Sequence, residues 1–301
     1  MRACSFLPAA TELIKALGLE SSLVGATFEC DAPPDVPRVV RSALEGRALD
    51  SGGIDAAVRE AAAAGETLYR VDDALLRRAS PDVIFTQHLC NVCQIGTATA
   101  EAAVADWDVK PRIVPLVPHR LSDVLDDVRT VARELGADAA GEALVSRLTA
   151  RLEAVRAALV GAAPAEALFI EWLDPLFRAG HWIPDQVAAA GGVDRLGSPG
   201  GRSGPIAWEE VLALDPETIV AAPCGLTLEQ AAAEARIALA GRPGFEGLRA
   251  AKAGRVYVAD AALFTMPSVG LIDGVELLAA LLHPGRFAMP ERLRGAFVRV
   301  A

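Results

Sequence analysis

The feature that most constrains this chain is an internal repeat. The segments "LLRRASPDVIFTQHLC" and "VLALDPETIVAAPC" share one layout: the end of a helix, a proline, an acidic residue, a buried strand, then a cysteine just past the strand. Pro81 precedes Cys90, and Pro216 precedes Cys224, at nearly equal spacing. The alternative interpretation is that the similarity reflects only the alternation of strand and helix common to every α/β protein. The recurring order and the proline placement favour two related lobes.

Other segments pair in the same order. "PRIVPLV" with its helix "LSDVLDDVRTVARELG" corresponds to "GRVYVAD" followed by "SVGLIDGVELLAALL". The opening unit "CSFLPAATELIKALG" has its counterpart in "LFIEWLDPLFRAGHWIPDQVAAAGG". The fold class is therefore predicted to be α/β, with two Rossmann-like lobes at residues 1–137 and 163–301.

A segment without an internal proline, residues 138–162, lies between the two halves. At about 1.5 Å of rise per residue, a helix of this length would extend over roughly 30 Å. An ordinary long helix within one domain fits the periodicity equally well. Together with the repeat around it, the segment predicts a single backbone helix that joins the lobes. The apolar positions that recur at helical spacing are Leu144, Leu148, Leu152, Val155 and Leu159.

The charge and hydropathy of the chain restrict its partners. Its 301 residues are 52% hydrophobic and carry a formal net charge of -10, without a basic cluster. An acidic chain of this kind is a poor ligand for nucleic acid or for an anionic membrane surface. No apolar run reaches the roughly 20 residues that span a bilayer. We therefore expect a monomeric protein whose partner is a small molecule.

The N-terminal stretch "MRACSFLPAATELIKALGL" indicates a strand followed by a helix that begins at Pro8. Its apolar part is short and is interrupted by Glu12 and Lys15, which is not typical of a secretory signal. As written, the chain is therefore expected in the cytoplasm. If a signal has been removed from it, the expected location is the periplasm or another extracytoplasmic space.

The unusual residues of the chain follow its predicted strands. Four of the five cysteines and three of the four histidines lie at such strand ends. In open, mostly parallel sheets, ligands bind outside the carboxyl ends of the strands, so these residues are the candidate site. Each could instead be a packed core residue, but their clustering favours a site. They are Phe28, Glu29, Cys30, Asp31, Gln87, His88, Cys90, Asn91, Cys93, His119, Glu171, Trp172, Phe177, His181, Trp182, Cys224, Phe264 and Met266.

The stretch "QHLCNVCQIG" contains a CxxC pair, Cys90 and Cys93. A structural zinc site requires further ligands, which would have to come from distant segments. A thioredoxin-like redox pair would sit at a helix N-terminus, as the helix predicted near Gly96 allows. We favour a third interpretation, in which the pair lines a ligand cleft and faces Cys224 and His181. Motifs of phosphate-binding loops, dinucleotide binding, HExxH metalloproteases and GxSxG hydrolases are absent from the sequence.

At this point the sequence resembles the substrate-binding proteins of vitamin B12 and iron-siderophore ABC transporters, in particular their BtuF-like, cobalamin-binding branch. The likeness rests on "CSFLPAATELIKALGLESSLVGATFECDAPP", "ASPDVIFTQ", "LFIEWLDPLFRAGHWIPDQVAAAGG" and "WEEVLALDPETIVAAP". The resemblance implies a class III periplasmic-binding-protein-like fold, with two lobes joined by one rigid helix. It also implies a flat ligand between the lobes against aromatic side chains, no enzymatic activity, and delivery to an ABC transporter permease.

The function expected from the residues and the resemblance is non-catalytic binding of a corrinoid, such as cobalamin, in the cleft between the lobes. The alternative is binding of a metal ion, haem or a ferric siderophore through cleft cysteines and histidines. The predicted ligand-binding residues are Phe28, Glu29, Gln87, His88, Asn91, Glu171, Trp172, His181, Trp182, Phe264 and Met266. Imidazole suits a cobalt centre, so His88 or His181 would approach the metal. The predicted ligands of a bound metal ion are Cys30, Cys90, Cys93, His181 and Cys224.

Overall fold

The computed structural model describes residues 1–64, 67–87 and 95–300. They form two compact units. The first unit consists of Met1–Ala48, Ile54–Pro118 and Ser122–Arg147, and the second consists of Leu49–Gly53, His119–Leu121 and Leu148–Ala301. Each unit has its own β-sheet with helices, so the predicted two-lobed α/β fold is confirmed.

The first unit is built on a six-stranded sheet in the order β4-β3-β2-β1-β5-β6. All neighbours are parallel except β3 and β4, so one edge of the sheet is antiparallel. The strands are β1 (Ala3–Ser5), β2 (Leu23–Thr27), β3 (Arg38–Ser42), β4 (Tyr69–Val71), β5 (Val83–Gln87) and β6 (Arg112–Leu116). The helices that lie wholly or mainly in this unit are α1 (Pro8–Ala16), α2 (Ser51–Ala64), α3 (Asp73–Ala79), α4 (Thr97–Ala103) and α5 (Leu121–Glu134). Helix α6 (Asp138–Ala158) begins in the first unit and belongs to the second unit from Leu148 onward.

Local sequence signals explain where these helices begin and end. Helix α1 starts at Pro8, whose fixed φ suits the first turn and whose missing N–H needs no partner there. The Asp72 side chain accepts a hydrogen bond of 2.9 Å from the Leu75 amide and so caps α3. Helix α6 is the long helix predicted at 138–162, and it ends at Ala158, shortly before Gly161 at φ 73°. The predicted domain boundaries at 137 and 163 remain a prediction.

The second unit is built on a seven-stranded sheet in the order β10-β8-β7-β11-β12-β13, with β9 paired to the start of β7. The sequence indicated the parallel strands β7, β11 and β12 but not the short antiparallel strands β8, β10 and β13. The strands are β7 (Ala165–Leu173), β8 (Leu176–Arg178), β9 (Gly192–Val193), β10 (Gly204–Pro205), β11 (Thr218–Ala221), β12 (Val256–Ala259) and β13 (Phe297–Arg299). The helices are α7 (Ile183–Ala189), α8 (Trp208–Leu214), α9 (Leu228–Ala238), α10 (Arg249–Lys252) and α11 (Gly270–Leu282).

Helix α11 is apolar on all sides, and nearly every residue from Leu271 to Leu282 is buried. Its one strongly buried charge, Glu276, is neutralised: Arg151 of α6 binds it at 2.8 and 2.9 Å, and Arg292 also donates to it. Arg151 donates a further bond of 2.6 Å to Asp273. This network fastens the second half of α6 to the second unit.

No helix in the described parts of the chain is long and apolar enough to cross a membrane.

Candidate functional site

The candidate site of the second unit lies where the strand order of its sheet reverses. From β7 the chain turns back into β8 on one side, and it later forms β11 on the other side. In open α/β sheets this switch point, at the carboxyl ends of the strands, is where ligands bind. The end of β7 carries Glu171 and Trp172, and the chain past β11 carries Cys224, which is exposed. We call Glu171, Trp172, Phe177 and His181 the β7 site.

Two aromatic residues of the β7 site form a cross-strand pair. Trp172 on β7 pairs directly with Phe177 on β8, so their side chains lie on the same face of the hairpin. Both residues are only partly buried. The Trp172 indole N–H donates a hydrogen bond of 2.9 Å to the Asp174 carbonyl, which fixes the orientation of the ring. The predicted contact residue Trp172 is therefore available to a ligand, together with Phe177.

His181 is held in an unusual backbone conformation. Its φ is 51°, in the left-handed region, which non-glycine residues seldom adopt. The His181 amide donates a bond of 2.5 Å to the Gly201 carbonyl, and the His181 carbonyl accepts one of 2.8 Å from the Gly200 amide. The loop "GSPGGRSGP" is thus hydrogen-bonded to both the amide and the carbonyl of His181. Strain that the surrounding structure maintains is a recurring property of functional sites.

Gly180 allows this loop to approach the backbone before His181 closely. A Cβ atom at this position would lie 2.1 Å from the Ser203 amide nitrogen and 2.5 Å from the Arg202 carbonyl carbon. Only glycine lets the two backbone segments approach so closely. The glycine of "AGHW" is therefore required by the close approach of these two backbone segments, which is visible only in the folded chain.

The imidazole of His181 is half-buried between other rings. Its centroid lies 6.2 Å from that of His119, with 23° between the planes, and 5.5 Å from that of Trp182. Burial lowers the pKa of His181, and electrostatic interactions with His119 and Arg202 lower it further. A lowered pKa favours the neutral imidazole, which is the form that binds metals.

Glu171 is the second titratable group of the β7 site. Its Oε2 accepts a hydrogen bond of 3.1 Å from the Gly180 amide. Burial of the carboxyl raises the pKa of Glu171 to about 7, against the opposing effect of hydrogen bonds from Gly180 and Ser203. Glu171 is thus near half-protonation in neutral solution and can offer either a donor or a charge to a ligand.

Two predicted contact residues, Trp182 and Phe264, are buried in the second unit. Phe264 has no exposed surface, and its ring packs 4.9 Å from that of Phe169. Trp182 is 6% exposed, and its indole N–H donates a hydrogen bond of 2.6 Å to the Phe264 carbonyl. A side chain without exposed surface has none to present to a ligand in this conformation. Met266, close by in sequence, is partly exposed.

In the first unit, the predicted residues past β2 differ in exposure. Phe28 is half-buried, with its ring 6.4 Å from that of Tyr69, and Glu29 is exposed. Cys30 is 5% exposed and accepts a hydrogen bond of 2.9 Å from the Thr11 hydroxyl. Burial raises the pKa of the Cys30 thiol, which disfavours the thiolate that a metal requires. In this structure Cys30 is therefore a buried thiol packed against its neighbours.

The end of β5 holds the remaining predictions. Gln87, its last residue, is 8% exposed. His88, Cys90, Asn91 and Cys93 lie outside the described residues, so their predicted roles stay predictions. Among the residues that the structure describes, no group of three or more His, Cys, Asp or Glu side chains could hold a metal ion.

Sequence reasoning noted His119 at a strand end but did not connect it with His181, because the two are far apart in the chain. The link between the two histidines is the short segment that contains His119. His119–Leu121 belongs to the second unit, where Arg120 binds Asp185 of α7 at 2.6 and 2.7 Å. The Leu121 amide also donates to Asp185, at 3.1 Å. This tether brings His119 beside His181.

Two α/β units, a single long helix running from one into the other, and a site at strand ends define a two-lobed α/β binding protein. Residues 73–263 match the model of the family described as "Periplasmic binding protein", and the chain belongs to that family. It is accordingly a substrate-binding protein of the periplasmic-binding-protein type. No curated protein matches the sequence.

Solved structures share the fold along nearly the whole chain. A periplasmic binding protein from Veillonella parvula has 17% identity and a TM-score of 0.70, covering 94% of this chain and 91% of that one. The periplasmic vitamin B12 binding protein BtuF of Vibrio cholerae has 18% identity and a TM-score of 0.65, covering 93% and 96%. A periplasmic heme binding protein from Pseudomonas aeruginosa has 23% identity and a TM-score of 0.64, covering 95% and 93%. At these identities the likeness shows the fold alone.

Proposed function

We propose that this protein binds a corrinoid, such as cobalamin, without catalysis, and that it does so outside the cytoplasm for delivery to an ABC transporter permease. The observation that carries the proposal is the β7 site: Trp172 and Phe177 are partly exposed and paired across the β7–β8 hairpin, and His181 is a partly exposed histidine whose pKa is lowered by burial. Family membership supports the location and the transporter partner.

The aromatic pair suits a ligand with a broad apolar face. Aromatic side chains each bury roughly 150–250 Å² and favour offset stacking on another flat system. A corrin or porphyrin macrocycle offers such a face, whereas a hydrated metal ion does not.

Within the part of the chain that the structure describes, metal-ligating side chains are few, and this supports a chelate over a bare ion. Protein sites for zinc usually supply three or four side chains. The described residues offer no group of three or more such side chains. A metal that arrives inside a macrocycle already has four equatorial ligands, and it therefore needs few from the protein.

Haem is the second candidate, and the paired histidines favour it, because imidazole is a common axial ligand of haem iron. The Pseudomonas aeruginosa neighbour is described as a heme binding protein, and the Vibrio cholerae neighbour as a vitamin B12 binding protein. The two ligands share a flat macrocycle around a metal and differ in their peripheral groups: amides on a corrinoid and carboxylates on haem.

The test is a titration of the purified protein with cyanocobalamin, dicyanocobinamide, haemin and Zn²⁺, followed by tryptophan fluorescence with inner-filter correction and by calorimetry. We expect a corrinoid to bind with the highest affinity. Tighter binding of haemin would replace the corrinoid by the second candidate. Binding of Zn²⁺ alone would overturn both.

Variants of the aromatic pair, Trp172 and Phe177, test where the ligand binds. Trp172→Ala and Phe177→Ala should each weaken binding by about 10-fold, or about 1.4 kcal/mol. The matched control is Phe297→Ala, which removes a partly exposed ring from β13, at the other side of the same sheet. An equal loss of affinity in the control variant would show that the β7 site is not the ligand site.

A further inference from the structure

We propose that binding of the corrinoid takes up one proton from solution, and that Glu171 of the β7 site is the group that receives it. The protonated form of this carboxyl binds the ligand, and affinity is lost once the carboxyl is ionised. This inference rests on the proposed function and describes the regulation of the same site. The pair of Trp172 and Phe177 does not require it, because two rings can bind a flat ligand without any change in protonation.

The position of Glu171 on β7 is the first argument. The pairing of β7 with β8 is irregular between Ile170 and Trp172, so that Glu171 is an extra residue at a β-bulge. A bulge interrupts the strict alternation of side chains and can redirect one of them. The Glu171 carboxyl accepts a hydrogen bond of 3.1 Å from the Gly180 amide and a second bond from the Ser203 side chain. It therefore lies between the hairpin and the loop that is bonded to it.

The partners of the carboxyl are the second argument. Glu171 is mostly buried, and the groups that donate to it, an amide and a hydroxyl, are both neutral. Among the described residues, no lysine, arginine or histidine side chain forms an ion pair with it. The buried carboxylate of Glu276, by contrast, is bound by the guanidinium groups of Arg151 and Arg292. A buried carboxylate without a cationic partner is costly, and a proton removes that cost.

The charged and titratable groups on the surrounding segments do not change this balance. They lie on β8 and just after it, on the chain between α7 and α8, and on the segments that follow β6 and β11. They are Arg178, His181, Asp194, Arg202, His119 and Cys224. Burial raises the pKa of Glu171 to about 7, and only the hydrogen bonds from Gly180 and Ser203 oppose it. The carboxyl therefore gains or loses its proton near neutral pH.

A flat ligand on the β7 site removes the remaining contact of Glu171 with water. The Glu171 side chain is partly exposed in this structure, as is Trp172, the next residue of β7. A macrocycle that stacks on Trp172 and Phe177 covers this opening. Because the loss of water disfavours the charged form, the pKa of Glu171 rises further in the complex. The carboxylate then takes a proton from the solvent and becomes a carboxylic acid.

Proton linkage determines the sign and the size of the effect. A ligand that binds the protonated form has its full affinity below a pH of about 7 and loses affinity as the pH rises above it. If the ionised form does not bind, the Kd increases about 10-fold between pH 6 and pH 8. Each bound ligand then takes up about 0.9 proton at pH 8 and about 0.1 proton at pH 6.

The test is calorimetric titration with cyanocobalamin at pH 6, 7 and 8, each in two buffers of different ionisation enthalpy, which gives the number of protons taken up. The amides and the phosphodiester of cyanocobalamin do not titrate in this range, so the protons bind to the protein. Glu171→Gln keeps an oxygen that accepts from the Gly180 amide but carries no charge. This variant should take up no proton, should bind with the same Kd at all three pH values, and should bind about 10-fold more tightly than wild type at pH 8.

Ser203→Ala is a second variant that leaves the carboxyl in place. It removes a donor that favours the ionised form, so the pKa of Glu171 should rise and the loss of affinity should move to higher pH. An unchanged midpoint of the pH dependence would count against Glu171 as the proton acceptor, whether or not Glu171→Gln folds.

The matched control is Asp127→Asn, which removes the buried carboxyl of α5 whose pKa is also raised to about 7. It should leave proton uptake and the pH dependence of the Kd as in wild type. Proton uptake at pH 8 that persists in Glu171→Gln would refute the inference. If cyanocobalamin binds to wild type with one Kd at pH 6 and pH 8 and without proton uptake, the proposed function stands and this inference is overturned. If cyanocobalamin does not bind to wild type at any of these pH values, the proposed function fails and the inference fails with it.

Discussion

Asp127 on α5 should be a source of instability at neutral pH. Its Oδ2 atom is buried and has no hydrogen-bond partner among the described residues. Burial, and then the negative charges of Asp123 and Asp126, raise the pKa of Asp127 from 3.8 to about 7. The folded protein therefore holds a proton on this carboxyl that the unfolded chain releases at much lower pH. Removing the charge should stabilise the protein.

The sign and size of the effect follow from these two pKa values. An acid whose pKa is higher in the folded state leaves stability intact below pH 3.8, and stability is lost as pH rises towards 7. At 1.36 kcal/mol per pKa unit, the full cost at pH 8 is about 4 kcal/mol, an upper bound because water and side chains relax around the charge. Asp127→Asn should therefore raise the free energy of unfolding by about 1 to 4 kcal/mol at pH 8 and change it little at pH 4.

The assay is urea unfolding followed by far-ultraviolet circular dichroism at pH 4, 6 and 8. The matched control is Asp108→Asn, which makes the same substitution at an exposed position of the first unit and should have little effect at any pH. A gain for Asp127→Asn that is the same at pH 4 and pH 8 would refute the electrostatic argument. A loss of stability at pH 8 would show that the carboxylate has a stabilising partner.

Three further results are expected. Gly180→Ala should lower stability by about 1–3 kcal/mol in thermal melts, because its Cβ would lie 2.1 Å from a backbone atom. Gly204→Ala on β10, where a Cβ would have nothing within 4 Å, should not lower it, and equal melting temperatures of the two variants would contradict the prediction. Arg151→Ala should lower the free energy of unfolding, measured with urea, by about 1–3 kcal/mol, because it removes the ion pairs to Asp273 and Glu276. Arg156→Ala, on the exposed side of α6, should lower it by less than about 0.5 kcal/mol. Similar losses in the two variants would show that the buried ion pairs add no more stability than an exposed one. Cys30 should resist iodoacetamide in the native protein and react after unfolding, as read by peptide mass spectrometry; rapid native labelling would disprove its burial.

Much of the fold could be predicted from local signals. The apolar run before Gln87 and the run before Phe28 became β5 and β2, and the proline-free segment from 138 became α6. These elements are fixed by periodicity and by proline positions, which are properties of neighbouring residues. The short strands β4, β8, β10 and β13 were not predicted, because strands of two or three residues carry too little pattern and exist through their sheet partners.

The site was predicted less completely, as two tryptophans show. Trp172 and Trp182 lie in one motif and looked alike as strand-end aromatics. In the folded chain Trp172 is partly exposed, whereas Trp182 is buried with its N–H bonded to the Phe264 carbonyl. The difference comes from a segment some eighty residues further along, which covers one ring and leaves the other open.

The sequence by itself determined that this chain forms two α/β lobes and a long helix, because the alternation of strands and helices and the helical periodicity are properties of neighbouring residues. It also indicated which strand ends carry unusual residues. Only the tertiary structure decided which of those residues meet. His119 and His181 become neighbours because Arg120 binds Asp185, and His181 takes its strained conformation because Gly180 admits a second backbone segment. Such contacts join residues distant in the chain, and their geometry depends on how the whole unit packs.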